Sequence, residues 1–300
     1  QRLADGALAV AVPEVPPRGL SMLKVSAGPP PPVTGRATAS GTTLENDALR
    51  VELDPATGAI RRFLDRARGV ELAGPQGLAR YRYVPGRDPA LVRDAGPVTI
   101  TVEENGPLVA VLRAEGEAPG ARSAVLRYRL VAGSDRLEVE LLLDKLPVRE
   151  KESAHLTFDL AVEGGALRID QGTNVMDPAR DALPGSCRDF VGVHSALDAV
   201  GPKGGVALGV LDSPLVELGT MVDERPNPAG IRHWKQEPYA GTTVHAYLLN
   251  NYWHTNYKAD QQGLLRFRFV LRPHGVEPPL AVMDLSRDLE QPLVVLPEGR

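Results

Sequence analysis

Leu264-Leu265-Arg266-Phe267-Arg268-Phe269-Val270-Leu271 puts Leu265, Phe267, Phe269 and Leu271 on one side of the chain and both arginines on the other. Such a period of two marks a half-buried strand, because successive side chains leave a pleated backbone on opposite faces. Upstream, Thr243-Val244-His245-Ala246-Tyr247-Leu248-Leu249 reads as a second strand, so the segment 250–261 is held between two strands. The same alternation recurs outward along the chain. Leu49, Val51 and Leu53 lead into Asp54-Pro55-Ala56-Thr57-Gly58, where Pro presets a turn and Gly supplies positive φ, and 59–64 returns. Residues 98–103 and 108–114 flank Glu104-Asn105-Gly106-Pro107, with Asn-Gly as the turn signal, and 124–131 and 136–143 flank Ala132-Gly133-Ser134-Asp135. Residues 156–162, 167–170, 190–194 and 206–211 read as further strands. With 30 Gly and 27 Pro among 300 residues and little helical periodicity, the chain is expected to be all-β, built of antiparallel hairpins.

Composition narrows the function. A net charge of −4 without a clustered basic face excludes a nucleic-acid footprint. One cysteine, Cys187, allows no internal disulfide. No apolar run approaches the roughly 20 residues of a membrane-spanning helix. Gln1-Arg2-Leu3-Ala4-Asp5 has neither an initiator Met nor a signal-peptide layout, which reads as the cut edge of a longer, cytoplasmic protein. Four stretches are expected: edge strands over 1–28, interrupted by Pro13, Pro16 and Pro17; a Pro/Gly/Thr linker over 29–43; the β body over 44–275; and a C-terminal extension over 276–300. In that extension 284–290 suggests one or two helical turns, and 291–296 a final edge strand.

The chemistry concentrates in Asn250-Asn251-Tyr252-Trp253-His254-Thr255-Asn256-Tyr257. Flat rings beside carboxamides suit a sugar, which offers an apolar ring face and a rim of hydroxyls; equally, Trp253 and Tyr257 serve as core anchors. Two long stretches, 171–189 and 219–241, break the strand rhythm, and loops of that length are commonly functional. The six histidines show no metal-ligand spacing, and nucleophile-elbow, Walker and dinucleotide motifs are absent.

Several stretches taken in order resemble the C-terminal region of glycoside hydrolase family 38, the retaining α-mannosidases. They are Pro13-Glu14-Val15-Pro16-Pro17-Arg18-Gly19, Leu44-Glu45-Asn46-Asp47 through Gly58-Ala59-Ile60, Leu183-Pro184-Gly185-Ser186-Cys187-Arg188-Asp189, Asp212-Ser213-Pro214-Leu215-Val216-Glu217-Leu218-Gly219, and 250–260 with 267–274. The resemblance implies a large β-supersandwich of the galactose-mutarotase-like kind. It places the zinc ion, its ligands and the Asp nucleophile in an N-terminal barrel followed by a helical bundle, none of which this sequence matches. No catalytic or metal residue is carried over, and no cofactor is expected in this chain. The implied partners are that barrel and bundle, and a mannose-containing oligosaccharide. Arg188, Asp189, Asn251, Trp253 and Asn256 are the candidates for lining the sugar cleft. Arg188 would grip a hydroxyl or carboxylate, Asn251 and Asn256 would bond hydroxyls, and Trp253 would stack on a ring. Alternatively, these residues fasten the supersandwich internally or to the barrel. Two other readings stay open: a free-standing carbohydrate-binding module, and a mutarotase- or lyase-like enzyme. The latter needs His155, His194 or His245 beside an acid or Tyr in an open groove.

Overall fold

The computed structural model describes residues 1–300 except 13, 14, 17, 18, 25, 27, 29–32, 227, 229–233, 253–257, 279 and 297–300. Its described residues form three sheets in which every strand pairing is antiparallel. The first holds β1 (Thr38–Ser40), β2 (Thr43–Glu45), β3 (Leu49–Leu53), β4 (Ile60–Asp65) and β5 (Val70–Glu71). A six-stranded sheet holds β6 (Arg80–Pro85), β7 (Arg93–Asp94), β12 (Glu152–Asp159), β15 (Val191–Gly192), β18 (Leu215–Leu218) and β19 (Thr243–Asn250), in the order β15-β18-β19-β12-β6-β7. A nine-stranded sheet holds β8 (Val98–Asn105), β9 (Val109–Gly116), β10 (Ala121–Val131), β11 (Leu137–Lys145), β13 (Ala166–Asp170), β14 (Val175–Met176), β16 (Ala196–Gly201), β17 (Gly204–Val210) and β20 (Gly263–His274). Helix α1 spans Ala281–Glu290.

The two large sheets enclose one core. Leu137, Val139, Leu141 and Leu143 of β11 and Phe267, Phe269 and Leu271 of β20 face Leu156 and Phe158 of β12, with the Phe158 and Phe269 rings 5.2 Å apart. Burying each such side chain contributes about 1.5–3 kcal/mol, which is why the alternation fixes the register. The five-stranded sheet closes one end. Tyr128 Oη donates to Gly58 O at 2.7 Å, and Asn46 Nδ2 donates to Val131 O and Ser134 O at 2.8 Å each. The Asp54–Gly58 turn forms as its sequence dictates: the Asp54 carboxylate accepts from Ala56 N and Thr57 Oγ1, and Gly58 has φ +74°.

Three expectations change. Residues 7–26 form no strand among the described residues; Leu8 makes one isolated bridge to Arg2, and Leu20 and Met22 stand exposed. The linker over 29–43 is shorter than expected, because Ala39 packs into the core and draws 38–45 into β1 and β2. In the extension, α1 forms because Val282 and Leu285 bury against Ala196 and Ala207, whereas 291–296 remains outside any strand with Leu293 to Leu296 exposed. The hairpin expected around 104–107 does form, β8 pairing with β9; within it a Cβ on Gly106 would fall on the Gln1 side chain, whose Oε1 accepts from Leu108 N and Val109 N.

Candidate functional site

Alternation in the six-stranded sheet sends apolar side chains to the core and leaves a polar outer face. Val216, Leu218, Val244, Ala246, Leu156 and Phe158 belong to the core, so Glu217, His245, Tyr247, His155 and Thr157 project the other way. These groups are nevertheless buried, Glu217 and His155 at 1% exposure each. The chain after β18 lies over them. His245 Nε2 meets Gly219 O at 2.8 Å, Val222 N donates to Glu217 Oε2 at 3.0 Å, and Tyr247 Oη donates to Glu224 Oε1 at 3.0 Å.

Protonation states follow from this geometry. A carbonyl only accepts, so His245 carries its proton on Nε2, and Nδ1 accepts from Thr157 Oγ1 at 2.8 Å. Burial pushes His155 down to about 3 and His245 to about 4, leaving both rings neutral near pH 7. Burial pushes Glu217 up to about 8. His155 Nδ1 lies 4.0 Å from Glu217 Oε2 without a hydrogen-bond partner among the described residues, so this is a neutral contact and not an ion pair. On its other side His155 Nε2 meets Ser153 Oγ at 2.9 Å, which accepts from Tyr252 Oη at 3.0 Å.

Beside this face the two rhythm-breaking stretches meet around a groove of 890 Å³, lined by Cys187, Arg188, Phe190, Gly219, Lys235 and Tyr239 among others. Tyr239 is seated by geometry: its hydroxyl bonds Thr243, and its ring lies where a Cβ on Gly219 (φ +77°) would be, so only glycine fits there. Lys235 N donates to Asp189 Oδ1 at 2.8 Å, and Lys235 Nζ donates to Thr220 O. Burial lowers the Lys235 pKa, with Glu217 and Asp189 acting against that shift. The groove offers a cation, guanidinium, phenol and phenyl faces and backbone carbonyls, a mixture that matches hydroxyls around an apolar ring.

Of the residues singled out in the sequence, Arg188 lines this groove, but its Nη1 and Nη2 donate to Pro178 O (3.1 Å) and Ala182 O (3.3 Å). Asp189 is buried beneath it, on Lys235 N. Asn251 lies elsewhere: Oδ1 accepts from Glu152 N at 2.7 Å, and Nδ2 donates to Val148 O and Glu150 O at 2.6 Å each. Its carboxamide is spent on backbone. Trp253 and Asn256 lie outside the described residues. His194 sits at α1, its Nδ1 2.9 Å from Glu290 Oε1. His155 does meet an acid and a tyrosine, its ring 4.7 Å from that of Tyr247, but it lines none of the described cavities. Lys235 was not read from the sequence; its signal was only its place in an overlong loop. Among the described residues no three His, Cys, Asp or Glu side chains are grouped to hold a metal ion, so no step through zinc is derived for this chain. Nor is any described helix long and apolar enough to cross a membrane.

No protein-family model matches the sequence, and no curated protein matches it. Solved structures do. An α-mannosidase from Enterococcus faecalis V583 superposes with a TM-score of 0.59 at 13% identity, over 81% of this chain and 30% of that one. A glycosyl hydrolase family 38 protein from Enterococcus faecalis gives 0.58 at 13% identity, over 86% of this chain and 32% of that one. A galactose mutarotase-like protein from Lactobacillus casei gives 0.42 at 11% identity, over 77% and 99%. The chain thus spans about a third of the length of the two mannosidase-type proteins, and at these identities the likeness is one of fold.

Proposed function

We propose that this chain is a non-catalytic β-supersandwich domain of an α-mannosidase-like glycoside hydrolase. It packs on the catalytic barrel of its own full-length polypeptide, and the groove between 171–189 and 219–241 lines that enzyme's sugar cleft. One observation carries this reading. The groove is lined by Phe190, Tyr239, Lys235 and Arg188, the last with its Nη atoms on Pro178 O and Ala182 O, whereas the neighbouring acid and imidazole, Glu217 and His155, are sealed beneath the chain. Two acids also line the groove, Asp181 and Glu237; Asp181 is engaged by Arg180 Nε at 2.9 Å and by Asp177 N at 2.8 Å, so the wall offers hydroxyl and ring contacts more than the pair of free carboxyl groups that must flank a glycosidic bond to cleave it. The superposition on two mannosidase-type proteins supports the choice of enzyme class.

Backbone-amide NMR of the chain titrated with manno-oligosaccharides tests it. Shift changes are expected at Arg188, Lys235, Tyr239 and Gly241, with a Kd on the order of millimolar for so few direct contacts, and Lys235→Ala should weaken them. No shift at these amides, or shifts confined to another face, would remove the groove from the account. Tight binding to the isolated chain, well below the millimolar range, would favour a free-standing carbohydrate-binding module.

A further inference from the structure

The outer face of the six-stranded sheet is unusual for a scaffold. A face covered by other chain is ordinarily apolar; here it carries two imidazoles, a carboxyl and a phenol, and one imidazole nitrogen has no partner among the described residues. What covers it is thin. Residues 219–226 form no helix or strand; of their side chains only Val222 is buried, and Gly219, Val222 and Glu224 make the bonds to Glu217, His245 and Tyr247 given above.

The geometry points to Glu217 as a proton-operated latch: with its carboxyl uncharged it holds residues 219–226 down on the sheet, and loss of its proton releases them, reshaping the neighbouring groove. The release follows from what surrounds the carboxyl. From residues 219–226 it faces Glu224, and from farther along the same loop Lys235; from the end of the other long loop, Asp189; from β19, Tyr247 and the neutral His245, the cross-strand partner of Glu217; from β12, the neutral His155; and Tyr252 lies nearby. Glu224 and Asp189 oppose a negative charge there. The Val222 N–H and Lys235 favour one, but burial outweighs them and also weakens Lys235 as a cation. An ionised Glu217 is therefore favoured where it reaches water, and it reaches water once 219–226 lift. Gly219 and Thr220 line the groove, so lifting alters its wall.

The sign is fixed by linkage. Closed, the carboxyl titrates at about 8; open, it returns towards the usual 4.5. Each pH step between those values therefore favours opening, by about tenfold per unit, and the effect saturates above the closed value. The latch does not depend on what the groove binds.

Hydrogen exchange at the Val222 amide, corrected for intrinsic rates, reads the latch directly. Between pH 6 and 8 its protection is expected to fall roughly 50-fold in the wild type, and to stay flat in Glu217→Gln, whose carboxamide oxygen still accepts from Val222 but cannot ionise. Amides of β11, such as Val139, should not change. Flat Val222 protection in the wild type, or an unchanged fall in Glu217→Gln, would overturn the proposal. If that variant does not fold, the carboxyl ¹³C shift of Glu217 in the wild type decides. A midpoint near 8 supports the latch, and a midpoint in the ordinary carboxylate range overturns it.

Discussion

Removing the Lys145 ammonium should be among the most damaging single changes to this fold. Lys145 and Glu152 are 0% and 1% exposed, with Nζ 2.6 Å from Oε1. The contact is one of charge more than of hydrogen-bond direction: Lys145 Nζ aims its well-formed bond at Leu146 O, 2.8 Å away, and among the described residues neither carboxylate oxygen accepts one of good geometry. Burial holds the Glu152 carboxyl above its usual range even though the nearby Lys145 ammonium and Tyr83 hydroxyl pull the other way. Lys145→Met leaves that carboxylate buried without its cation, a loss of about 3–5 kcal/mol. Typical domains have only about 5–15 kcal/mol in all. The Glu152 backbone also holds Asn251, through N–H to Oδ1 and through its carbonyl to Asn251 N, so the damage spreads to the start of the 250–258 stretch. A carboxyl whose folded pKa is raised costs nothing below its unfolded value of 4.5 and most above its folded value. The Lys145→Met penalty should therefore shrink as pH falls towards 4.5. Pairing it with Glu152→Met replaces two charges by apolar volume and should restore most of the loss. Urea denaturation of wild type, both single variants and the double variant at pH 5 and 7.5 closes the cycle. A single-variant loss under about 1 kcal/mol at pH 7.5, or a double variant no better than Lys145→Met, would refute the reasoning.

Three further outcomes are expected. Asn251→Ala leaves Glu152 N and two loop carbonyls without partners and should cost about 3 kcal/mol in urea unfolding; a loss below about 1 kcal/mol would show that water replaces the carboxamide. His274 faces acceptors on both nitrogens, Asp198 Oδ1 at 2.7 Å and Gly275 O at 2.6 Å, which favours the doubly protonated ring and raises its pKa although burial opposes this. Its contribution should be complete below pH 6.5 and lost as pH rises through the raised value; unfolding midpoints over pH 5.5–9 should show that loss in the wild type and not in His274→Gln. Tyr128→Phe keeps the buried ring but orphans Gly58 O, and should lower stability by about 1 kcal/mol; thermal unfolding showing no change would mean the hydroxyl is dispensable.

Much of the fold was legible because its strands alternate cleanly. β10, β11 and β20 follow directly from periodicity, and Asp54–Gly58 follows from turn chemistry. β16 escaped because Ala196-Leu197-Asp198-Ala199-Val200 does not alternate: it is covered on both faces, by the core through Leu197 and by α1 through Ala196. β6 escaped because Arg80 and Arg82 alternate with tyrosines whose depth only the sandwich reveals. The edge strand expected at 291–296 failed because an apolar, β-prone run without a pairing neighbour is not a strand. For the site, loop length located the groove, but the roles of its residues depend on contacts far apart in sequence. Asn251 looked like a hydroxyl partner and is bound to Val148, Glu150 and Glu152 a hundred residues away. The Glu217 environment assembles from β12, β18, β19 and the covering chain, and no spacing in the sequence announces it.

The central claim is that this chain shapes a sugar cleft and leaves bond breaking to other polypeptide. Its most direct test is release of aryl alcohol from an aryl α-mannoside by the purified chain with added zinc. No turnover above the buffer rate is expected. Sustained turnover that a single carboxylate substitution, such as Glu217→Gln, abolishes would contradict the claim and place a reaction centre within these sheets.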